Sequence, residues 1–121
     1  MVVFVAHGSR DPRWRTSVEE VIESIHAEIG PDRVRLAYMD CAPPTLLDVA
    51  SEAVGLGVVS IQVLPLFLAT EGHVDRDIRP LVDEVARAHP SLQVTLLPPM
   101  GQQPLFRDFL YRISLETDEG A

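Results

Sequence analysis

Four short runs rich in valine, isoleucine and leucine, at residues 2–6, 34–39, 58–66 and 92–97, alternate along the chain with segments whose apolar residues return at helical spacing. Few architectures satisfy that alternation. The runs lack a strict two-residue polar and apolar rhythm, which is how strands read when both sheet faces are covered. Strands of that kind separated by helices predict an α/β fold with a parallel sheet between helical layers. Right-handed crossovers then favour a doubly wound, four-stranded parallel sheet in the order 2-1-3-4, with helices on both faces.

The helical segments carry their own stop signals. Val18, Val21, Ile22, Ile25 and Ile29 form one stripe, closed by Gly30-Pro31. A second helix follows Pro43-Pro44 with Leu46, Ala50, Ala53 and Val54 on one face, and stops at the glycines of 55–57. Ile78, Leu81, Val82 and Val85 point inward from a third, which ends near His89-Pro90. Leu105, Phe109, Leu110 and Ile113 form the apolar face of a fourth. The 121 residues therefore read as one domain over 1–115, followed by an acidic tail over 116–121.

Composition excludes several classes. Eighteen acidic against ten basic residues give a net charge of −8, the wrong sign for a nucleic-acid binder. The longest mostly apolar run, 58–69, is broken by Ser60, Gln62 and Pro65, far short of the roughly 20 residues a membrane span needs. The first residues lack the basic stretch of a secretory signal, and the single cysteine, Cys41, forms no intrachain disulfide. A reducing cytoplasm is the expected location. All ten basic residues are arginine, and Arg10, Arg13 and Arg15 crowd one segment opposed only by Asp11. That segment suits an anionic ligand.

In open α/β sheets ligands bind beyond the carboxyl ends of the strands, where the strand order reverses. His7 follows the first strand, Asp40-Cys41 the second, and His73 lies in the loop after the third. With strands one and three adjacent, roughly 5 Å apart, the two imidazoles are placed to face one another. Imidazoles and a carboxylate suit cobalt, iron, nickel or zinc. Either histidine alone reads as well as a loop hydrogen-bonding group; their shared placement is what points to a site. His26 and His89 fall away from the crevice as solvated or capping residues. The turn Gly8-Ser9-Arg10-Asp11-Pro12 offers backbone N–H groups to an anion. It is not a dinucleotide fingerprint, since it lacks G-x-G-x-x-G, nor a P-loop, since the chain has no lysine. The segment 6–10 also lacks the flanking glycines of a nucleophile elbow, which leaves Ser9 as a turn or N-cap residue. Cys41, next to a carboxylate, reads as a small buried hydrophobe.

Val5-Ala6-His7-Gly8-Ser9-Arg10-Asp11-Pro12, Tyr38-Met39-Asp40-Cys41-Ala42-Pro43 and Val63-Leu64-Pro65-Leu66-Phe67-Leu68 followed by Gly72-His73-Val74 resemble the sirohydrochlorin chelatases of the CbiX type. Pro98-Pro99-Met100-Gly101 resembles that family's segment after the fourth strand. The resemblance runs from about residue 2 to residue 111, in the small, single-domain form of the family. It implies a chelatase-like fold, half of a flavodoxin-like pair. It also implies insertion of a divalent metal, Co2+ or alternatively Fe2+ or Ni2+, into a sirohydrochlorin-type ring in cobalamin or siroheme biosynthesis, with no organic cofactor. The family's two histidines fall on His7 and His73, as ligand or proton acceptor, and its usual glutamate after strand two falls on Asp40. Aspartate is one methylene shorter, and Glu71 is a substitute carboxylate. Ser9 and Arg10 are the candidate contacts to the anionic tetrapyrrole, with Arg13 and Arg76 as further candidates or ordinary salt-bridge partners. A homodimer is expected, because one shallow edge is too small to cover a macrocycle. A noncatalytic metal or tetrapyrrole carrier and a phosphate-binding hydrolase are the competing functions.

Overall fold

The computed structural model describes residues 1–8, 10–40, 42–68 and 74–120, with backbone alone for 74, 75 and 117–120. Strand β1 (Val2–Ala6) leads into helix α1 (Pro12–Ile29), β2 (Val34–Tyr38), α2 (Leu46–Gly55), β3 (Ser60–Pro65), α3 (Arg79–Ala88), β4 (Gln93–Leu96) and α4 (Pro104–Gly120). A π-helical turn, Val74–Ile78, precedes α3, and a 3-10 turn, Met100–Gln102, precedes α4. All strand pairs are parallel and the order is β2-β1-β3-β4, the doubly wound order expected from the alternation of elements.

Register divides the sheet into two unlike faces. Val3 pairs with Arg35 and Val63, so these share one side, while Phe4, Leu36 and Leu64 share the other. On the first side Val3, Val5, Ile61 and Val63 are fully buried against Leu46, Val49, Ala50 and Ala53 of α2 and Val82 and Val85 of α3. This is the main core. On the second side α1 packs over β2, where Tyr38, Ala6 and Ala42 gather with Val18, Leu36 and Leu66.

Local chemistry fixes the helix ends. The Asp11 carboxylate caps α1 by accepting the Arg13 N–H, with Pro12 at the first helical position, so the N-cap is Asp11. Thr45 and Asp48 form a reciprocal capping box at the start of α2. Gly30 and Gly57, at φ 91° and 83°, turn the chain where a side chain would be strained.

Two helical stripes are less covered than their spacing predicts. Only Ile22 of the α1 stripe is buried, whereas Val21 and Ile29 are exposed, because α1 rests chiefly on the edge strand β2. Helix α4 rests on the 3-10 turn, and its stripe of Leu105, Phe109, Leu110 and Ile113 is exposed. It also takes in the acidic residues after 115, running to Gly120.

Candidate functional site

Because every strand is parallel, the loops after β1, β2, β3 and β4 open on one edge, and three contacts stitch them together there. The Gly8 N–H donates to Asp40 Oδ1 at 3.3 Å, joining the first loop to the second. A Cβ on Gly8 would stand 1.4 Å from the Asp40 carbonyl oxygen, so the two backbones meet only because residue 8 has no side chain. The His7 ring lies against Phe67, centroids 4.5 Å apart and planes tilted by 38°, joining the first loop to the third. The Gly101 N–H donates to the Phe67 carbonyl at 2.9 Å, and a Cβ there would meet the Leu68 carbonyl oxygen at 1.8 Å, joining the third loop to the fourth.

His7 is exposed at this edge, whereas Phe67 beneath it is buried, so the imidazole is presented to solvent on an apolar support. Asp40 is also exposed, with one carboxylate oxygen engaged by the Gly8 N–H. The sheet order places His7 between the loops of Asp40 and Phe67, as the switch-point argument expects. Ser9, Cys41, Glu71 and His73 lie outside the described residues. Among the described residues no group of three metal-ligating side chains occurs.

The arginine cluster resolves into unlike members. Arg13 folds back on Asp11 through two contacts, Nε to Oδ1 at 3.2 Å and Nη2 to Oδ2 at 3.1 Å, and these hold the Asp11 carboxyl below its usual range. Arg76 meets Asp77 at 3.5 Å. Both form salt bridges. Arg10 is exposed at the turn between His7 and α1, beside the N-terminal end of that helix.

Spacing alone does not reveal Phe67 as the support of His7, or the tight glycines, since each contact joins residues far apart in the chain. Tyr38 is another such case. Its hydroxyl donates to Glu19 Oε1 at 2.6 Å beneath α1, and burial followed by that carboxylate pushes the phenol well above its ordinary range. His26 is more than a solvated residue, since its Nε2 donates to the Val34 carbonyl at 2.7 Å. His89 caps α3 and meets Ser51 Oγ at 2.9 Å through its ring.

In the comparison to known families, the CbiX model matches residues 1–117. The chain belongs to the CbiX family. A sirohydrochlorin cobaltochelatase of Methanopyrus kandleri is 38% identical over 77 residues, covering 64% of this chain and 54% of that protein. A sirohydrochlorin ferrochelatase of Bacillus subtilis is 27% identical over 100 residues, covering 83% of this chain and 38% of that one. The crystal structure of a CbiX protein from Marinobacter aquaeolei superposes with a TM-score of 0.83 at 29% identity, covering 99% of this chain and 98% of the other. The match spans about half the length of the Methanopyrus relative. Within the CbiX fold, the described candidate residues His7, Arg10 and Asp40 occupy one edge.

Proposed function

We propose that this CbiX chain inserts a divalent metal into a sirohydrochlorin-type tetrapyrrole, cobalt first and iron or nickel as alternatives. The observation that carries the reading is an exposed His7 at the sheet's switch point in a chain that the CbiX model matches over residues 1–117. Cobalt and iron both occur in the names of its relatives, and all three metals accept imidazole.

Insertion requires the metal to lose water, two pyrrole N–H protons to leave, and the ring to be held by its carboxylates. His7 and His73 take the first two tasks, one holding the metal as it loses water and one accepting protons. A protonated imidazole does neither. Asp40 or Glu71 supplies a carboxylate to the metal or orients a ring. Arg10, with Ser9 and the backbone N–H groups of that turn, binds the ring carboxylates through charge-assisted hydrogen bonds. No helix among the described residues is long and apolar enough to cross a membrane. We place the reaction in the cytoplasm, where one cysteine and a substrate metal ion are compatible with reducing conditions. Residues 1–115 act as the chelatase unit, working as a homodimer so that a second copy completes the cover over the macrocycle.

The test is metal insertion into sirohydrochlorin, followed by absorbance, with Co2+, Fe2+ and Ni2+ in parallel on the wild type, His7→Ala and His73→Ala. Each histidine variant is expected to lose orders of magnitude in rate while its stability changes by roughly 1 kcal/mol or less. Wild-type binding of ring and metal without turnover would make the chain a carrier, and a folded variant with the wild-type rate would make that histidine structural.

A further inference from the structure

The backbone that carries His7 is held from both sides. The Ala6 carbonyl accepts the Met39 N–H at 2.8 Å, the Gly8 N–H donates to Asp40 Oδ1, and the Val5 carbonyl accepts the Leu66 N–H at 2.8 Å. What is left to be set at position 7 is the pair of side-chain torsions. An imidazole standing in water with no support shares about three χ1 wells and about two χ2 orientations. A group that must meet a metal or take a proton acts from a small part of that range.

The Phe67 ring narrows the choice. It lies 4.5 Å from the imidazole, centroid to centroid, with the planes tilted by 38°. Aromatic pairs near this separation favour their contact by about 2- to 12-fold. Phe67 is buried and belongs to the main core cluster, whereas His7 is exposed, so the ring is the fixed partner of the two. Behind it stands the turn that follows β4. The Gly101 N–H donates to the Phe67 carbonyl, and a Cβ on Gly101 would lie 1.8 Å from the Leu68 carbonyl oxygen and 2.5 Å from its carbon, so turn and loop meet backbone to backbone. The turn is braced by its own bonds. The Leu97 N–H reaches the Val63 carbonyl at 2.8 Å as β4 ends, the Gln102 and Gln103 N–H groups return to the Pro99 and Met100 carbonyls, and Gln103 Nε2 donates to the Pro98 carbonyl at 2.7 Å.

We infer that Phe67 and Gly101 are positioning residues for His7, with Gly101 seating the Phe67 backbone and the Phe67 ring holding the imidazole in one orientation. Neither side chain can ligate a metal or take a proton, so both act through His7. Loss of the ring returns the imidazole to about six arrangements, which alone reduces the productive fraction by about 6-fold. Misplacement of a reacting group by about 1 Å can cost about 100-fold. The expected loss in kcat is therefore about 6- to 100-fold. Binding of the tetrapyrrole is assigned to Arg10 and the turn beside it, so KM is expected to move by less than about 2-fold.

The inference rests on the metal-insertion reading for its rate readout and has a second readout that does not. The full chain is labelled with 13C and 15N at its four histidines, and the His7 signals are assigned by their loss in His7→Gln. Three-bond couplings from His7 Cγ to its own backbone nitrogen and carbonyl carbon report χ1. The wild type is expected to show the couplings of one rotamer and nuclear Overhauser contacts between the His7 and Phe67 rings. Averaged couplings or missing contacts overturn the inference without any variant having to fold. Phe67→Leu, which keeps an apolar side chain in the core, and Gly101→Ala, which displaces the backbone of 67–68, are both expected to show averaged couplings. In the insertion assay with sirohydrochlorin and Co2+, both are expected to lose kcat with little change in KM. Wild-type couplings in folded Phe67→Leu overturn the inference, as does an unchanged kcat where the couplings are averaged, or a KM that rises as kcat falls. If the wild type inserts no metal, the metal-insertion reading fails, and the couplings still decide whether Phe67 holds His7.

Discussion

Around the start of α1, Arg10 and Arg13 illustrate how position divides otherwise similar charges. Arg13 is bound to Asp11 by a fork of contacts at the helix cap, whereas Arg10 is exposed beside the turn that follows His7. A charged hydrogen bond to a substrate carboxylate contributes about 1.5 to 3 kcal/mol. Arg10→Ala is therefore expected to raise the apparent substrate constant by about 10-fold or more while lowering turnover less. Initial rates across substrate and salt concentration check this, and unchanged constants with unchanged salt dependence would make Arg10 an ordinary surface charge. Tyr38 raises a pH question instead. Its phenol is pushed up first by burial, then by the hydrogen bond to Glu19 and that residue's charge, with Arg15 opposing. The folded protein keeps this proton where the unfolded chain loses it, so the stabilisation is complete below about pH 10 and declines as pH rises beyond it. Tyr38→Phe is expected to cost about 1 to 2 kcal/mol at neutral pH and to flatten the alkaline decline. Urea denaturation from pH 7 to 11 measures both.

At the scale of the element, the strands and helices were legible because each carries a local signal. The apolar runs, Gly30-Pro31, the glycines at 55 and 57 and His89-Pro90 mark where the chain changes direction, and the elements end close to them. Thr45 and Asp48 satisfy N–H groups at the start of α2 that the helix cannot satisfy for itself. Thr45→Ala is expected to lower stability by about 1 kcal/mol, with the loss read as a shift in urea midpoint at constant slope. An unchanged midpoint would mean that the packing of Leu46 and Val49 holds the helix start unaided. The stripes of α1 and α4 illustrate the limit of such reading. Helical spacing shows that Val21, Ile29 and Leu105 share an apolar side with their neighbours, but does not show what covers that side.

For the whole molecule, the parallel order β2-β1-β3-β4 brings four loops to one edge, and the proposed macrocycle is broad relative to that edge. If the second copy completes the cover, specific activity is expected to fall on dilution through the range where sedimentation shows the dimer separating. Constant specific activity across that range would place the entire site on one chain. The strand and helix periods, the α/β class and the loop in which His7 sits could be read along the chain, because each depends on residues within a few positions of one another. So could Asp40 at the end of the neighbouring strand. The folded chain alone reveals that Phe67 supports His7, that Gly8 lets the Asp40 backbone approach, that Tyr38 reaches Glu19, and that α4 rests chiefly on the 3-10 turn. Those contacts depend on strand register and helix placement, which join residues distant along the chain and leave no local period to read.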